Sequence, residues 1–225
     1  ALTLLPSMAL AAGEGVAIKD TNFPDANFRE VVNGYDTDGN NELSETEIAA
    51  VKTIDVSRKE IKDLTGIEHF ENLTKLLCYN NQLTSLDLSE NTALTELNCR
   101  YNKLTSLDLS KNTALTTLNC SYNKLAALDV SKNTNLKDLI CSENKLERLN
   151  VSANTALTRL TCNDNKLVAL VLGQNTALTT LACDSNQLTT LDVSKNADLT
   201  MLYCGENQLK TLDLSKNTKL TSLLC

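Results

Sequence analysis

The residues with the most specific chemistry lie in one acidic segment, DTDGNNELSETE, at positions 36–47. Oxygen-bearing side chains stand at positions 1, 3, 5, 9 and 12 of this segment, and an apolar residue stands at position 8. Carboxylates this close together repel one another unless a cation lies between them. A hard cation such as Ca²⁺ takes roughly six to eight oxygen ligands, so the spacing predicts a calcium-binding loop.

The segment resembles the calcium loop of EF-hand proteins. The resemblance implies a set of ligands: the side chains of Asp36, Asp38 and Asn40, the carbonyl oxygen of Glu42, Ser44 directly or through water, and Glu47 through both carboxylate oxygens. Position 6 is Asn41, where the family has Gly. Asn adopts positive φ more readily than most residues, so we expect weakened binding rather than none.

Helices are predicted on both sides of this loop. Apolar residues follow helical spacing over residues 28–35 before the loop and begin a second helix at residues 48–51 after it. A metal-free interpretation remains open, because Ser44-x-x-Glu47 is also a capping box. A capping box does not explain the oxygens at positions 1, 3 and 5. A single loop lacks the paired hand of calcium sensors, so we expect a structural cap rather than a switch.

The eight cysteines recur at a constant interval of 21 residues, at positions 78, 99, 120, 141, 162, 183, 204 and 225. A constant interval indicates a repeat architecture. Each unit has two similar halves, for example LTELNCRYN (94–102) and LTSLDLSKN (104–112). The alternation in Leu-x-Cys and Leu-x-Leu predicts one short strand in each half, with a turn at the Asn. Stacked coils then give a solenoid with two facing parallel sheets around a leucine core.

The cysteines occupy the inward position that Leu or Val takes in the other half-repeat. We therefore expect a file of buried, reduced thiols that pack as small hydrophobic groups. Disulfides are one alternative, but side chains on in-register parallel strands point alongside each other, and the required torsion is hard to reach. Zinc is another, although the sequence has no paired CxxC motif and only one histidine, His69. We expect His69 to be structural.

The repeats resemble bacterial secreted and cell-surface leucine-rich repeat proteins through the segment LTELNCRYNKL (94–104), and KDLTGIEHFENLT (62–74) resembles internalins. The resemblance implies a mostly β solenoid with an EF-hand-like helical cap, exported by a bacterium and used for binding. We divide the chain into a signal-peptide remnant (1–12), the cap (13–51), a transitional repeat (52–72) and seven full repeats plus a truncated eighth (73–225). Within the transitional repeat, Ile54-Asp55-Val56-Ser57 resembles the second half-repeat.

Composition excludes several classes of function. Lys and Arg total 21 against 28 Asp and Glu, which argues against nucleic-acid and anionic-membrane surfaces. No apolar run approaches the roughly 20 residues of a membrane helix. The sequence shows no nucleophile–base pair, phosphate loop or catalytic carboxylate pair, so we expect neither an enzyme nor a small-molecule substrate.

The two faces of the predicted solenoid differ in their outward residues. The second half-repeat carries a uniform series of Asp and Ser, which is typical of a scaffold. The Cys-side face varies from coil to coil and contains Tyr and Arg, the residue types that anchor interfaces. We predict that it binds a protein or glycoprotein through Tyr79, Arg100, Tyr101, Tyr122, Ile140 and Tyr203. The alternatives are neutral variation on a solvated face and a structural spacer or stalk within a larger surface protein.

Overall fold

Nine parallel strands of three residues each form one continuous sheet in the computed structural model, which describes residues 15–225. The strands are β3 (Thr53–Asp55), β4 (Lys75–Leu77), β5 (Glu96–Asn98), β6 (Thr117–Asn119), β7 (Asp138–Ile140), β8 (Arg159–Thr161), β9 (Thr180–Ala182), β10 (Met201–Tyr203) and β11 (Ser222–Leu224). Their order in the sheet is their order in the chain. The predicted signal-peptide remnant, residues 1–12, lies outside the described residues.

The 21-residue interval sets the register of the sheet. Leu76 pairs with Leu97, and Leu97 with Leu118, so equivalent residues lie side by side in successive coils. The central Leu of each strand from β4 to β10 is fully buried, whereas the flanking strand positions point to the opposite face. The predicted solenoid and its leucine core are therefore confirmed.

Each cysteine directly follows a strand, and its side chain points into the core in all but the last coil. Seven of them, Cys78 through Cys204, are at most 2% exposed, whereas Cys225 in the last coil is exposed. All eight are free thiols. The file of buried thiols is confirmed for those seven coils, and the expectation that Cys225 shares it is wrong.

The predicted second sheet does not form. Within residues 15–225 the second half-repeat contains no strand. The carbonyl oxygen of Leu88 accepts from the N–H of Asn91 in its own coil and from the side chain of Asn112 in the next coil, which takes the place of a backbone ladder.

The Oδ1 atom of Asp87 accepts a hydrogen bond from the backbone N–H of Ser89 at 3.0 Å, and five later coils repeat this turn. The same local bond also follows β3 and β6, where the N–H groups of Ser57 and Ser121 donate to Asp55 and Asn119, so it does not by itself prevent a strand. The bond from Ser89 lowers the pKa of Asp87 below its usual value.

The turn after each strand uses a different residue from the one predicted. The residue with positive φ is the one before the Asn, for example Tyr101 with φ of 54°, and not Asn102 itself. Asn102 is nearly buried and serves the backbone. Its Oδ1 accepts from the N–H of Leu83 at 3.0 Å, and its Nδ2 donates to the carbonyl oxygens of Cys78 and Cys99. The residue before the Asn therefore supplies the positive φ of the turn, and the Asn side chain stabilises the turn through its hydrogen bonds.

The first coil starts earlier than the sequence pattern indicated. Ile54 pairs with Leu76, so Ile54-Asp55-Val56 takes the register of the first half-repeat, with Val56 in the position of a cysteine. The resemblance of this segment to the second half-repeat was misleading, because Leu-x-Leu and Leu-x-Cys share the same alternation.

A small cap covers this coil. It contains β1 (Val16–Ala17), α1 (Ala26–Asn33), β2 (Glu42–Leu43) and α2 (Glu45–Ala50), with β1 and β2 paired antiparallel. Asp25 caps α1 and also accepts a hydrogen bond at 2.8 Å from the N–H of Lys62 in the solenoid. Ser44 and Glu47 form a capping box at the start of α2.

One glycine fixes how the cap sits on the solenoid. Phe23 packs edge-on against Phe28 and His69, whose ring centroids lie 5.9 and 5.8 Å from its own. Gly66 lies beneath this ring with φ of 103°, just before a 3₁₀ turn at Ile67–His69. A Cβ at Gly66 would lie 2.2 Å from Cδ1 of Phe23, so only glycine fits.

Candidate functional site

The acidic loop between α1 and α2 gathers three carboxylates. Ligand atoms of Asp36, Asp38 and Glu47 all lie within 4.8 Å of one another. The loop curls because Gly39 and Asn41 both adopt positive φ, of 74° and 64°. Asn41 thus takes the backbone conformation expected at position 6.

Hydrogen bonds within the loop orient these carboxylates. Asp36 accepts from the backbone N–H groups of Gly39 and Asn41, both at 2.8 Å. Desolvation alone would raise the pKa of Asp36, but these backbone bonds together outweigh it and lower the pKa. Glu47 accepts from the hydroxyl of Thr37 at 2.6 Å and from the N–H and hydroxyl of Ser44, both at 2.9 Å. These bonds, that from the Thr37 hydroxyl above all, lower the pKa of Glu47 from 4.5 to about 2. Both groups are therefore anionic at neutral pH, as a cation site requires.

The remaining predicted ligands lie around this cluster in different roles. Asn40 donates from its side chain to Asp38 at 3.0 Å and accepts at its Oδ1 from the N–H of Glu42 at 2.7 Å. The Glu42 side chain is exposed, which agrees with a role through its carbonyl oxygen only. Ser44 is bonded to Glu47 as the helix cap. The cap and the carboxylate cluster coexist in this loop, so the two interpretations of Ser44 and Glu47 are compatible.

An aromatic and cationic cluster lies at the carboxyl ends of β5 and β6. The rings of Tyr101 and Tyr122 stack with centroids 4.1 Å apart and 27° between their planes. The guanidinium carbon of Arg100 lies 4.4 Å from the Tyr101 centroid and 5.0 Å from that of Tyr122. The two tyrosines are 43% and 36% exposed. The structure therefore brings three of the predicted partner-binding residues together into one rigid, amphipathic surface.

The other predicted partner-binding residues are distributed along the sheet. Tyr79 lies beside the cluster, and a groove of about 550 Å³ is lined by Tyr79, Arg100 and Tyr101 together with Arg58. Ile140 ends β7 and is half-buried. Tyr203 ends β10, and its hydroxyl lies 3.1 Å from that of Ser222. Ile140 and Tyr203 thus share the sheet face with the cluster but lie in separate coils.

Sequence reasoning missed two features of this face. The guanidinium carbon of Arg58 lies 5.6 Å from the centroid of the Tyr79 ring. Arg58 precedes the regular repeats, so the periodic pattern does not indicate it. The first position of each strand also points outward, where Lys75 pairs with Glu96 at 3.0 Å and Arg159 with Asp138 at 3.3 Å. Alternation of side chains along a strand places the residue before the central Leu on the outward face of the sheet, so this feature could have been predicted if the strand had been started one residue earlier.

Comparison with known families decides what kind of solenoid this is. The family described as the endo-β-N-acetylglucosaminidase EndoS LRR domain matches residues 23–144, which is more than half of the chain. The chain belongs to this leucine-rich repeat family.

The relatives of this leucine-rich repeat protein include internalins. Internalin J of Listeria monocytogenes serotype 4b (strain F2365) is 45% identical over 84 residues, which cover 37% of this chain. A structure of the functional domain of InlJ from Listeria monocytogenes, which includes a cysteine ladder, is 38% identical with a TM-score of 0.60, and the match covers 96% of this chain. A structure of internalin C2 from Listeria monocytogenes has a TM-score of 0.87 over 96% of this chain and 99% of its own, and at 20% identity it shows the fold alone.

These matches confirm an internalin-like leucine-rich repeat protein of the bacterial kind. The chain spans 9% and 10% of the length of the two curated internalin J relatives and 57% of the solved InlJ chain. Among residues 15–225, no helix is long and apolar enough to cross a membrane.

Proposed function

We propose that this chain is the non-enzymatic recognition module of an exported bacterial protein, and that it binds a protein or glycoprotein through the Cys-side face of its sheet. The observation that carries the proposal is the exposed stack of Tyr101 and Tyr122 under Arg100. Residues of these types, held rigid before binding, lose little conformational freedom when a partner covers them. The homology to internalins supports a surface protein-interaction module.

The repeated hydrogen bonds of the coils support the same conclusion. Strand register fixes every side chain of the face on a backbone held by Asn residues such as Asn102, so the face is presented as a rigid array. The opposite surface is a series of similar acidic turns, which offers little variation for specificity.

Alanine substitutions test this proposal. Candidate surface proteins and glycoproteins are screened by surface plasmon resonance, and bound partners are measured again on Arg100→Ala, Tyr101→Ala and Tyr122→Ala. We expect at least one of these variants to weaken binding by about 10-fold or more. Lys111→Ala in the second half-repeat is the matched control. Unchanged binding by all three variants would favour a structural spacer.

We also propose that Ca²⁺ binds the 36–47 loop and stabilises the cap. The grouping of three carboxylates within 4.8 Å and the positive φ of Asn41 support this assignment. When bound, the ion would neutralise the repulsion among Asp36, Asp38 and Glu47 and hold α1 and α2 against the first coil. Asn40, Glu42 and Ser44 would complete its oxygen ligands.

Thermal melting with Ca²⁺ and with a chelator tests the calcium proposal. We expect Ca²⁺ to raise the melting temperature of the native chain, and Asp38→Asn to remove most of that increase. Asp38 is the informative position because, in the part of the chain that the structure describes, the hydrogen bonds of its carboxylate come from Asn40 within the loop. Glu45→Gln, on an exposed side chain of α2, is the control. A melting temperature indifferent to Ca²⁺ contradicts the proposal.

The export and domain assignments belong to the same proposal. Residues 1–12 would be a signal-peptide remnant, 13–51 the cap, 52–72 the transitional repeat and 73–225 the recognition solenoid. Expression of the complete gene with a reporter fused after residue 225 would show whether the solenoid reaches the cell exterior.

A further inference from the structure

One residue in each coil protrudes at the turn that follows the sheet. These residues all have positive φ, between 49° and 59°, and we call them the turn row: Arg58, Asn80, Tyr101, Tyr122, Glu143, Asp164, Ser185 and Glu206. From Arg58 to Ser185, each turn-row N–H donates to a carbonyl oxygen of the next coil at 2.8–3.1 Å. The row is therefore continuous and in register, although each three-residue strand ends before it.

The side chains of the turn row are arranged by charge. Its first half carries Arg58 and the two stacked tyrosines, with Arg100 adjacent to Tyr101. Its second half carries Glu143, Asp164 and Glu206. No salt bridge among residues 15–225 involves any of these charged groups. A cationic, aromatic half thus lies in line with an anionic half, and within the described residues neither half forms a salt bridge.

The order of charges along the turn row is complementary to the same order read in the opposite direction. If a second copy is laid antiparallel along the row, with a twofold axis between Tyr122 and Glu143, each residue faces a suitable partner. Arg58 then faces Glu206, and Asn80 faces Ser185. Tyr101, with Arg100 beside it, faces Asp164, and Tyr122 faces Glu143. A twofold interface makes each of these contacts twice, so one surface supplies both sides.

We propose that the turn row is a self-recognition surface, and that a second copy of this chain binds it antiparallel about this twofold axis. The row contains seven steps at strand spacing and is about 34 Å long. The residues that directly precede the turn-row residues form a neighbouring column. At the centre of the interface this column contains Ser121 and Ser142, which are 3% and 5% exposed, so no large side chain there separates the two copies.

This inference deepens the proposed function, because it names a second copy as the partner that covers Tyr101 and Tyr122. Ile140 and Tyr203 lie on the sheet face beside the row and stay available to another ligand. The two proposals can fail separately. Self-association is measured on the purified chain alone, whereas the recognition proposal is measured with added partners.

Charge reversal tests the antiparallel arrangement. Variant one is Arg58→Glu with Arg100→Glu, which makes both halves acidic, and variant two is Asp164→Lys with Glu206→Lys, which makes both halves basic. Sedimentation velocity is run over a concentration series at low and high salt. Every chain carries Cys225→Ser, so that the exposed thiol cannot cross-link two copies. Lys111→Glu with Lys132→Glu changes the net charge as variant one does, outside the turn row.

The native row should form a dimer whose dissociation constant rises with salt, as expected for charge complementarity. Each variant alone should dissociate about 100-fold more readily, since like charges then face each other. An equimolar mixture of the two variants should restore the dimer, because each acidic half then meets a basic one. The lysine control should behave as the native chain. The proposal is overturned by a native chain that stays monomeric, by variants that still dimerise, or by a mixture that does not associate. Dimers that survive both reversals would instead point to pairing through β11.

Discussion

The amide nitrogen of Asn102 donates to the carbonyl oxygen of Cys78, one coil earlier, at 2.9 Å. The same side chain bonds its own coil at Cys99 and accepts from Leu83, so one residue ties two coils together through three hydrogen bonds. Equivalent asparagines repeat this arrangement along the solenoid. A second series differs, since Asn112 donates to Leu88 and Asn91 while its buried Oδ1 has no partner among the described residues.

Removal of the Asn102 side chain should therefore be costly. Asn102→Ala leaves the N–H of Leu83 without a partner and removes one of the two side-chain amides that donate to each of the Cys78 and Cys99 carbonyl oxygens. We expect it to lower the free energy of unfolding by about 3 kcal/mol. Urea denaturation followed by circular dichroism measures this change. Asn135→Ala is the control, because Asn135 is exposed and makes one bond, to Thr113, so its effect should stay within about 0.5 kcal/mol. Equal effects at the two sites would contradict the role assigned to Asn102.

Gly66→Ala should loosen the cap. The added methyl group would collide with the Phe23 ring, and the positive φ of Gly66 adds backbone strain, so we expect a loss of about 2–4 kcal/mol. Limited proteolysis should then cut first in the residues before Thr53. Gly173→Ala is the matched control, because a Cβ there meets nothing within 4 Å. A Gly66→Ala chain as stable as the Gly173→Ala chain would show that the cap does not dock as described.

The stability of the cap should depend on pH through Glu47. Its pKa in the folded chain is lowered from 4.5 to about 2, chiefly by the Thr37 hydroxyl, so its hydrogen bonds stabilise the fold fully above pH 4.5. That contribution is lost as the pH falls through the folded pKa. With chelator present, the melting temperature of the native chain should fall more steeply between pH 4.5 and 2 than that of Glu47→Gln. Parallel curves for the two chains would show that Glu47 is not held as an anion.

The thiols should differ sharply in reactivity. Desolvation raises the pKa of Cys99 and of Cys162 to about 12, and raises those of Cys78, Cys120 and Cys141 as well, so these groups stay protonated and inaccessible at pH 8. Cys225 is exposed. Ellman's reagent should therefore detect one fast thiol in the folded chain and eight after unfolding without reductant.

Substitution Cys225→Ser should remove the fast reaction and leave seven thiols on unfolding. Fewer thiols than this in denaturant would reveal disulfides, and several fast thiols in the folded chain would reveal an open core.

The solenoid could be predicted from sequence because the spacing of Leu and Cys directly determines which side chains point inward. The grouping of the Asp36, Asp38 and Glu47 carboxylates could be predicted in the same way, since the spacing of these residues is set by local geometry.

The second sheet was predicted wrongly because Leu107-Asp108-Leu109 has the alternation of a strand. In the structure the carbonyl oxygen of Leu109 accepts from the N–H of Asn112 in its own coil and from the side chain of Asn133 in the next. Local spacing does not separate the two cases, because Asp55-x-Ser57 at the end of β3 makes the same local bond as Asp108-x-Ser110.

Other features depend on placement in space, which spacing alone does not give. Arg58 lies 22 residues before Asn80 rather than 21, so it falls outside the periodic pattern and yet joins the same row of turns. The stacking of Tyr101 on Tyr122 depends on the positive φ of these two turn residues. The sequence pattern instead predicted the turn at the Asn that follows each of them.

The uniform junction between coils makes the length of this protein adjustable. Because each coil bonds the next through the same Asn and Leu groups, loss or duplication of one 21-residue unit recreates an identical junction at the point of rejoining. Genetic recombination between repeats can thus shorten or lengthen the protein stepwise, and no new core has to evolve. Each such event also shifts the midpoint of the charged row, so a change in length alone can make two descendants of one gene unable to recognise each other.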